Sequence, residues 1–186
     1  MNKRLPLFLV LCLACGTGFG QEPRPSPSEY KNVREESVSL VNRWLVRMKK
    51  IAECPLYNLS LTLELFEKGA KIYTSSTHST ETRWYWPKDY FEKVNGLKCQ
   101  DPPVYRTMAF DYNPVDVSMA EVSGVDGNYQ VRIKVLQRFR GEYANRRGFY
   151  GDITVKEVYM HFRRNANGVL IGKIAYILAD PPVPYG

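Results

Sequence analysis

Histidine and cysteine are scarce in this chain of 186 residues: two histidines, His78 and His161, and four cysteines. Neither Cys54 nor Cys99 has a second Cys or a His at ligand spacing, so no metal site is expected. No glycine-rich phosphate loop and no nucleophile-elbow pattern occurs, which leaves phosphoryl transfer and serine hydrolysis without support and implies no cofactor. The longest apolar run, Leu5 to Ala14, is about half the roughly twenty residues that a helix needs to cross a bilayer core, so no transmembrane span is expected. Acidic residues are absent from the first twenty positions, and the formal charge of +7 falls by two when Lys3 and Arg4 are removed. That mild surplus excludes a strongly basic protein and gives no nucleic-acid signature.

What is present begins with an export signal. Lys3 and Arg4 precede the apolar run, and the small-residue stretch Cys15 to Gly20 follows it, the three-part layout of a bacterial-type leader over residues 1–20. Cys15, preceded by Leu13 and Ala14, is a possible lipidation site, although Cys12 stands where such motifs carry Leu. The alternative is cleavage after Gly20. The expected location is accordingly the periplasm, the membrane as a lipoprotein, or the medium. Residues 21–28 hold three prolines among polar side chains and read as an extended tether. A single domain over 29–180 and a tail over 181–186 complete the organisation. Cys54 and Cys99 remain after export, and an oxidising compartment favours a disulfide between them.

The order of elements follows from changes of period. Val33, Val38, Val41, Trp44, Leu45, Met48 and Ile51 recur every three or four positions and predict a helix over 33–52, ended by Pro55. A second helix is expected over 60–68 with Gly69 as its C-cap, although the alternation of Leu61, Leu63 and Leu65 also suits a strand. Residues 70–75 read as a short strand and 76–82 as a polar loop containing His78. Pro87 opens a third, short helix. Period two then takes over, with Tyr129, Val131, Ile133, Val135 and Phe139 alternating with Arg132, Lys134, Arg138 and Arg140. Val117, Met119 and Val122 precede this strand, with Gly124 to Gly127 as the turn of a hairpin. A second hairpin joins 153–162 to 169–178 through Asn165 to Gly168. Ile153 and Val155 are out of register with Val158, Met160 and Phe162, which predicts a bulge near Lys156 or Glu157.

Helices first and a long bent meander last resembles the cone-shaped α+β fold of the nuclear transport factor 2-like (NTF2-like, cystatin-like) superfamily over about 29–178. The features that carry the resemblance are the amphipathic first helix, the stretch Leu65 to Tyr73, the helix after Pro87, and the closing hairpin with Gly168 and Ile174 to Leu178. It implies helices packed on a strongly bent antiparallel sheet and a pocket between them. Candidate pocket residues are Trp44, Tyr73, Trp84, Trp86, Tyr90, Phe91, Tyr159 and His161, though aromatic residues at regular spacing more often belong to a packed core than to a site. If a proton-transfer dyad exists, His161 with Glu157 or Tyr159 with Asp111 are the candidates. The face bearing Arg132, Lys134, Arg138 and Arg140 could meet an acidic partner, although a solvated strand face is the simpler account. Three functions stay open: an exported non-enzymatic ligand-binding or assembly module of the cell envelope, with an envelope protein or small apolar ligand as partner and a homodimer through the sheet; an isomerase, dehydratase or cyclase; and a carrier of an apolar ligand.

Overall fold

The computed structural model describes residues 27–54, 59–76, 79–125 and 127–185. The leader, Cys15, most of the tether, Pro55 and His78 lie outside the described residues.

Helix α1, Pro27–Lys50, buries Val33, Leu40, Val41, Trp44, Leu45 and Met48 along one stripe and places Arg47, Lys49 and Lys50 in its last turn, where cations suit the helix dipole. It starts six residues before the first apolar position and within the segment read as tether. The reason is tertiary: Glu29 pairs with Arg164, and Tyr30 donates to the Gly124 carbonyl at 3.1 Å, so the polar first turns are tied to the sheet.

Helix α2 is shorter than expected, Leu59–Leu63, and strand β1, Phe66–Ser76, begins where the helix was to continue. Phe66 is drawn out of the helix because it pairs with Ile174 of the last long strand, with both side chains in the core. Gly69 is therefore no cap. At φ +88° it sits where the β1 register shifts between Phe66 and Lys71, a bulge conformation that favours glycine. Part of the expected polar loop is strand β2, Ser79–Tyr85, which pairs antiparallel with β1 at the edge of the sheet. An edge strand need not alternate apolar and polar residues, which is why its sequence reads as loop.

Helix α3, Pro87–Cys99, has proline at its start and buries Tyr90, Phe91 and Asn95. Cys54 and Cys99 are bonded, tying the chain just after α1 to the end of α3. Strand β3, Tyr105–Tyr112, had no sequence expectation. Val117–Met119 forms a short 3-10 turn outside the hairpin, and β4 is only Glu121–Val125. Gly124 lies within that strand, opposite Tyr129, so the turn is tighter than expected.

Strands β5, Asn128–Tyr143, and β6, Phe149–Arg164, form the spine, with β7, Leu170–Ala179, beside β6. The order is β2-β1-β7-β6-β5-β3, with β4 on β5 and a short β8, Val183–Tyr185, on β6. The last segment, expected to be a tail, thus adds a short strand to the sheet. The sheet is strongly curved and mixed, because β1 runs parallel to β7, where an antiparallel sheet was expected. The β5–β6 register is unbroken from Asn128↔Arg163 to Glu142↔Phe149, so the expected bulge at Lys156 or Glu157 is absent from that ladder. The irregularity falls in β7 instead, where Ala175 is the extra residue opposite Tyr159 and Met160.

The helices cover one face of this sheet. Tyr129, Val131, Ile133, Val135, Val158, Met160, Phe162, Ile174 and Ile177 point into the core beneath α1 and α3. Among the described residues no helix is long and apolar enough to cross a membrane.

Candidate functional site

The inner row of β6 changes character halfway along. Val158, Met160 and Phe162 continue the core, whereas Tyr150, Asp152, Thr154 and Lys156, in the same row, line a cavity of about 250 Å³ between the curved sheet and α3. This explains the apparent change of phase in the sequence. Thr154 and Lys156 hold the inner register, while Ile153 and Val155 face outward, Ile153 beside Val183 of β8. Across the ladder Gln137 stands opposite Thr154 and replaces an apolar residue in the inner row of β5. Val94, Leu97, Phe110 and Phe139 supply apolar walls.

Lys156 is 3% exposed, and its ammonium donates to the Tyr90 hydroxyl at 3.1 Å. It lies 5.8 Å from the Trp44 ring centre and 5.5 Å from that of Tyr90. No carboxylate among the described residues is within ion-pair distance of it. Tyr112 donates to Gln137 Oε1 at 3.2 Å, and its phenol is held well above the ordinary value by burial and secondarily by Tyr90. Burial also raises the carboxyl of Asp152, against the opposing effect of hydrogen bonds from Tyr150 and Thr154 and of the Lys156 charge. The Trp44 Nε1 donor is buried without a hydrogen-bond partner among the described residues.

Strand parity distributes the sequence candidates differently from the expected pocket. Tyr90 lines the cavity, Trp44 lies in the core against Lys156, and Phe91 is core, packed on Phe66. Tyr73, Tyr159 and His161 occupy the outer face, where Tyr159 stacks on Tyr176 with ring centres 4.3 Å apart. Trp84 and Trp86 are nearly half exposed, pack edge to face at 5.2 Å, and sit beside the Lys71 ammonium.

Neither dyad assembles. His161 Nδ1 is 3.1 Å from Glu67 Oε2, a residue on neighbouring β1, and Glu157 is instead bonded to Tyr159 at 2.6 Å and Lys134 at 2.9 Å. Asp111 is exposed at the β3 edge and pairs with Lys49 at 3.6 Å, away from Tyr159. In the basic row, Arg132 is neutralised by Glu121 and Glu157, and Lys134 by Glu157. Arg140 lies over the Phe149 ring, and Arg138 stands opposite Asp111 and Ile153.

The residues that sequence reasoning missed are Lys156, Gln137, Thr154 and Tyr112. Their signal was available at two of them: Gln137 interrupts an otherwise apolar series at period two, and Lys156 falls in phase with Val158, Met160 and Phe162. Among the described residues no group of three or more His, Cys, Asp or Glu side chains could hold a metal ion.

No protein-family model matches the sequence, and no curated protein matches it. Solved structures match in shape. A hexachlorocyclohexane dehydrochlorinase (LinA type 2) aligns at TM-score 0.52 and 9% identity, over 82% of this chain and 91% of that one. A putative scytalone dehydratase from Novosphingobium aromaticivorans aligns at TM-score 0.51 and 8% identity, over 86% and 92%. An NTF2-like superfamily protein from Salmonella enterica serovar Typhimurium aligns at TM-score 0.51 and 12% identity, over 87% and 96%. Likeness at such identity concerns the fold alone. The chain has the NTF2-like fold, an α+β architecture with helices packed on a curved sheet.

Proposed function

We propose that this chain is an exported, non-enzymatic small-molecule-binding protein that holds its ligand between the curved sheet and α3. The observation that carries the reading is the polar half-row Tyr150, Asp152, Thr154 and Lys156 on a strand face that is otherwise core, opening onto a cavity of about 250 Å³. A mostly apolar cavity with a few convergent polar groups is the usual form of a ligand site.

Export rests on the leader at residues 1–20 and is supported by the bonded Cys54 and Cys99 pair. Lipidation of Cys15 and cleavage after Gly20 are separated by the mass of the mature N-terminus: unmodified or cyclised Gln21 excludes the lipid. Binding is tested by native mass spectrometry of the exported protein beside Ala179→Trp, which fills the cavity. A bound small molecule or a ligand-induced rise in melting temperature should be present in the natural chain and lost in Ala179→Trp. Equal behaviour of the two chains overturns the reading.

One observation favours an isomerase or dehydratase as a second reading. Asp152 lines the same cavity as Lys156, and a carboxyl that burial makes less acidic suits proton transfer. Asp152→Asn would then abolish turnover of a bound compound while leaving its binding intact. An assembly role would instead use the outer face around Arg138 and Arg140, with an envelope protein or a second copy as partner.

A further inference from the structure

We infer that the ligand is a small monoanionic acid, a carboxylate on a short apolar body, with Lys156 as its counter-ion and Tyr90 as a second donor. This rests on the cavity being a ligand site.

The argument is a count of donors and acceptors at the cavity floor. Lys156 is 3% exposed and meets one hydroxyl, from Tyr90, and no carboxylate among the described residues within ion-pair distance. The Asp152 carboxyl acts on Lys156 only from beyond ion-pair distance, and an anion brought into direct contact with the desolvated ammonium would interact far more strongly than it would in water. The Tyr90 oxygen accepts from Lys156, so its own proton is directed elsewhere. Gln137, 6% exposed, uses Oε1 to accept from Tyr112, which leaves its amide nitrogen as the group presented for donation. The floor thus offers an ammonium, a hydroxyl and an amide, all donors.

The rest of the cavity limits the anion. Asp152 and Asp180 line it as well, and a second negative charge on the ligand would meet them. Val94, Leu97, Phe110 and Phe139 favour an apolar body over a hydrated inorganic anion. A volume of about 250 Å³ lies just under the 300–1,000 Å³ common for drug-sized ligands, so the acid is small.

The test is titration of the full mature chain with octanoate, octanol and octylamine, followed by calorimetry and by nuclear magnetic resonance of the lysine side chains. Octanoate should bind at least about tenfold more tightly than octanol, with octylamine weakest, a ratio set by one buried charge pair. In Lys156→Met the advantage of octanoate should disappear while octanol binding persists. If that variant does not fold, the Lys156 Nζ resonance of the natural chain decides, because it should move with octanoate and not with octanol. Equal affinity for octanoate and octanol overturns the inference and leaves the cavity reading standing. A preference for octylamine also overturns it and assigns recognition to Asp152 and Asp180. If none of the three binds, the cavity reading falls and the inference with it.

Discussion

Lys156 and Glu157 are neighbours on β6 and point to opposite faces of the sheet. Outside, Glu157 is held by Tyr159, Lys134 and Arg132, and Arg132 is held in turn by Glu121. Inside, Lys156 has a hydroxyl for company and no carboxylate within ion-pair distance among the described residues. Arg132 and Lys134 are thus satisfied by Glu121 and Glu157, whereas Arg138 and Arg140 have no ion pair among the described residues but are exposed to water, which screens them. Lys156 lacks an ion pair and water alike, so its environment is the costlier one. A count of charges alone points to the outer face; the burial and pairing of charges favour the inner one for the proposed ligand.

The largest test of this contrast removes the layer that makes the inner face an interior. Cys54–Cys99 ties the chain after α1 to the end of α3 across 45 residues of sequence. In the chain-entropy account a loop of that length contributes about 4 kcal/mol, so Cys54→Ser with Cys99→Ser should lower the denaturation midpoint accordingly. Ligand binding should weaken with it, since α3 supplies Tyr90, Val94 and Leu97 to the cavity. A double variant with an unchanged midpoint would mean that the helices hold to the sheet by packing alone.

The next test compares adjacent positions. Ile133 is fully buried and Lys134 is on the outer face. Ile133→Ala should cost about 3 kcal/mol through lost burial and a residual cavity. Lys134→Ala should leave the melting temperature almost unmoved. Comparable losses from both would show the outer network to be a structural element in its own right.

Much of the fold was legible because periodicity reports burial. The face of α1 from Val33 to Met48, the helix after Pro87 and the alternation from Tyr129 to Phe139 all follow from which residues leave water. Elements decided by pairing were not legible. Phe66 is strand because Ile174 lies beside it, and β2 is strand because β1 offers it an edge, neither of which leaves a local mark. The site was missed for a related reason. Aromatic residues, His161, the carboxylates Glu157 and Asp111 and the basic row stand out by residue type, whereas the informative signal is a polar residue in an apolar row. At Lys156 that signal has the same local form as a bulge, and only the unbroken β5–β6 register separates the two.

A third variant addresses the buried charge directly. Lys156→Met keeps the length of the side chain and removes a desolvated ammonium, so it should stabilise the unliganded protein by about 1–2 kcal/mol, or roughly 2–8 °C in melting temperature. Stability given up at a functional residue is a common trade. A marked loss of stability would make Lys156 a structural residue, with Tyr90 as its true partner.

The smallest effect is expected from the outer member of the pair, and its dependence on pH identifies it. The Tyr159 hydroxyl, then Lys134, hold the Glu157 carboxyl below the ordinary carboxylate value of 4.5. A carboxyl that is more acidic in the folded chain contributes stability above its unfolded value and loses that contribution as pH falls through the folded one. Glu157→Gln should therefore cost below about 1 kcal/mol at pH 7, as for other partly exposed ion pairs. The gap between the two chains should narrow once the pH drops below about 4.5 and close when Glu157 is protonated in both states. Added salt should shrink the same gap at pH 7, because the Lys134 and Arg132 partners face water. Octanoate affinity should be unchanged in Glu157→Gln, since the side chain is on the far side of the sheet from the cavity. A change in octanoate affinity would mean that the two faces are coupled through β6 and that the outer network helps to position Lys156.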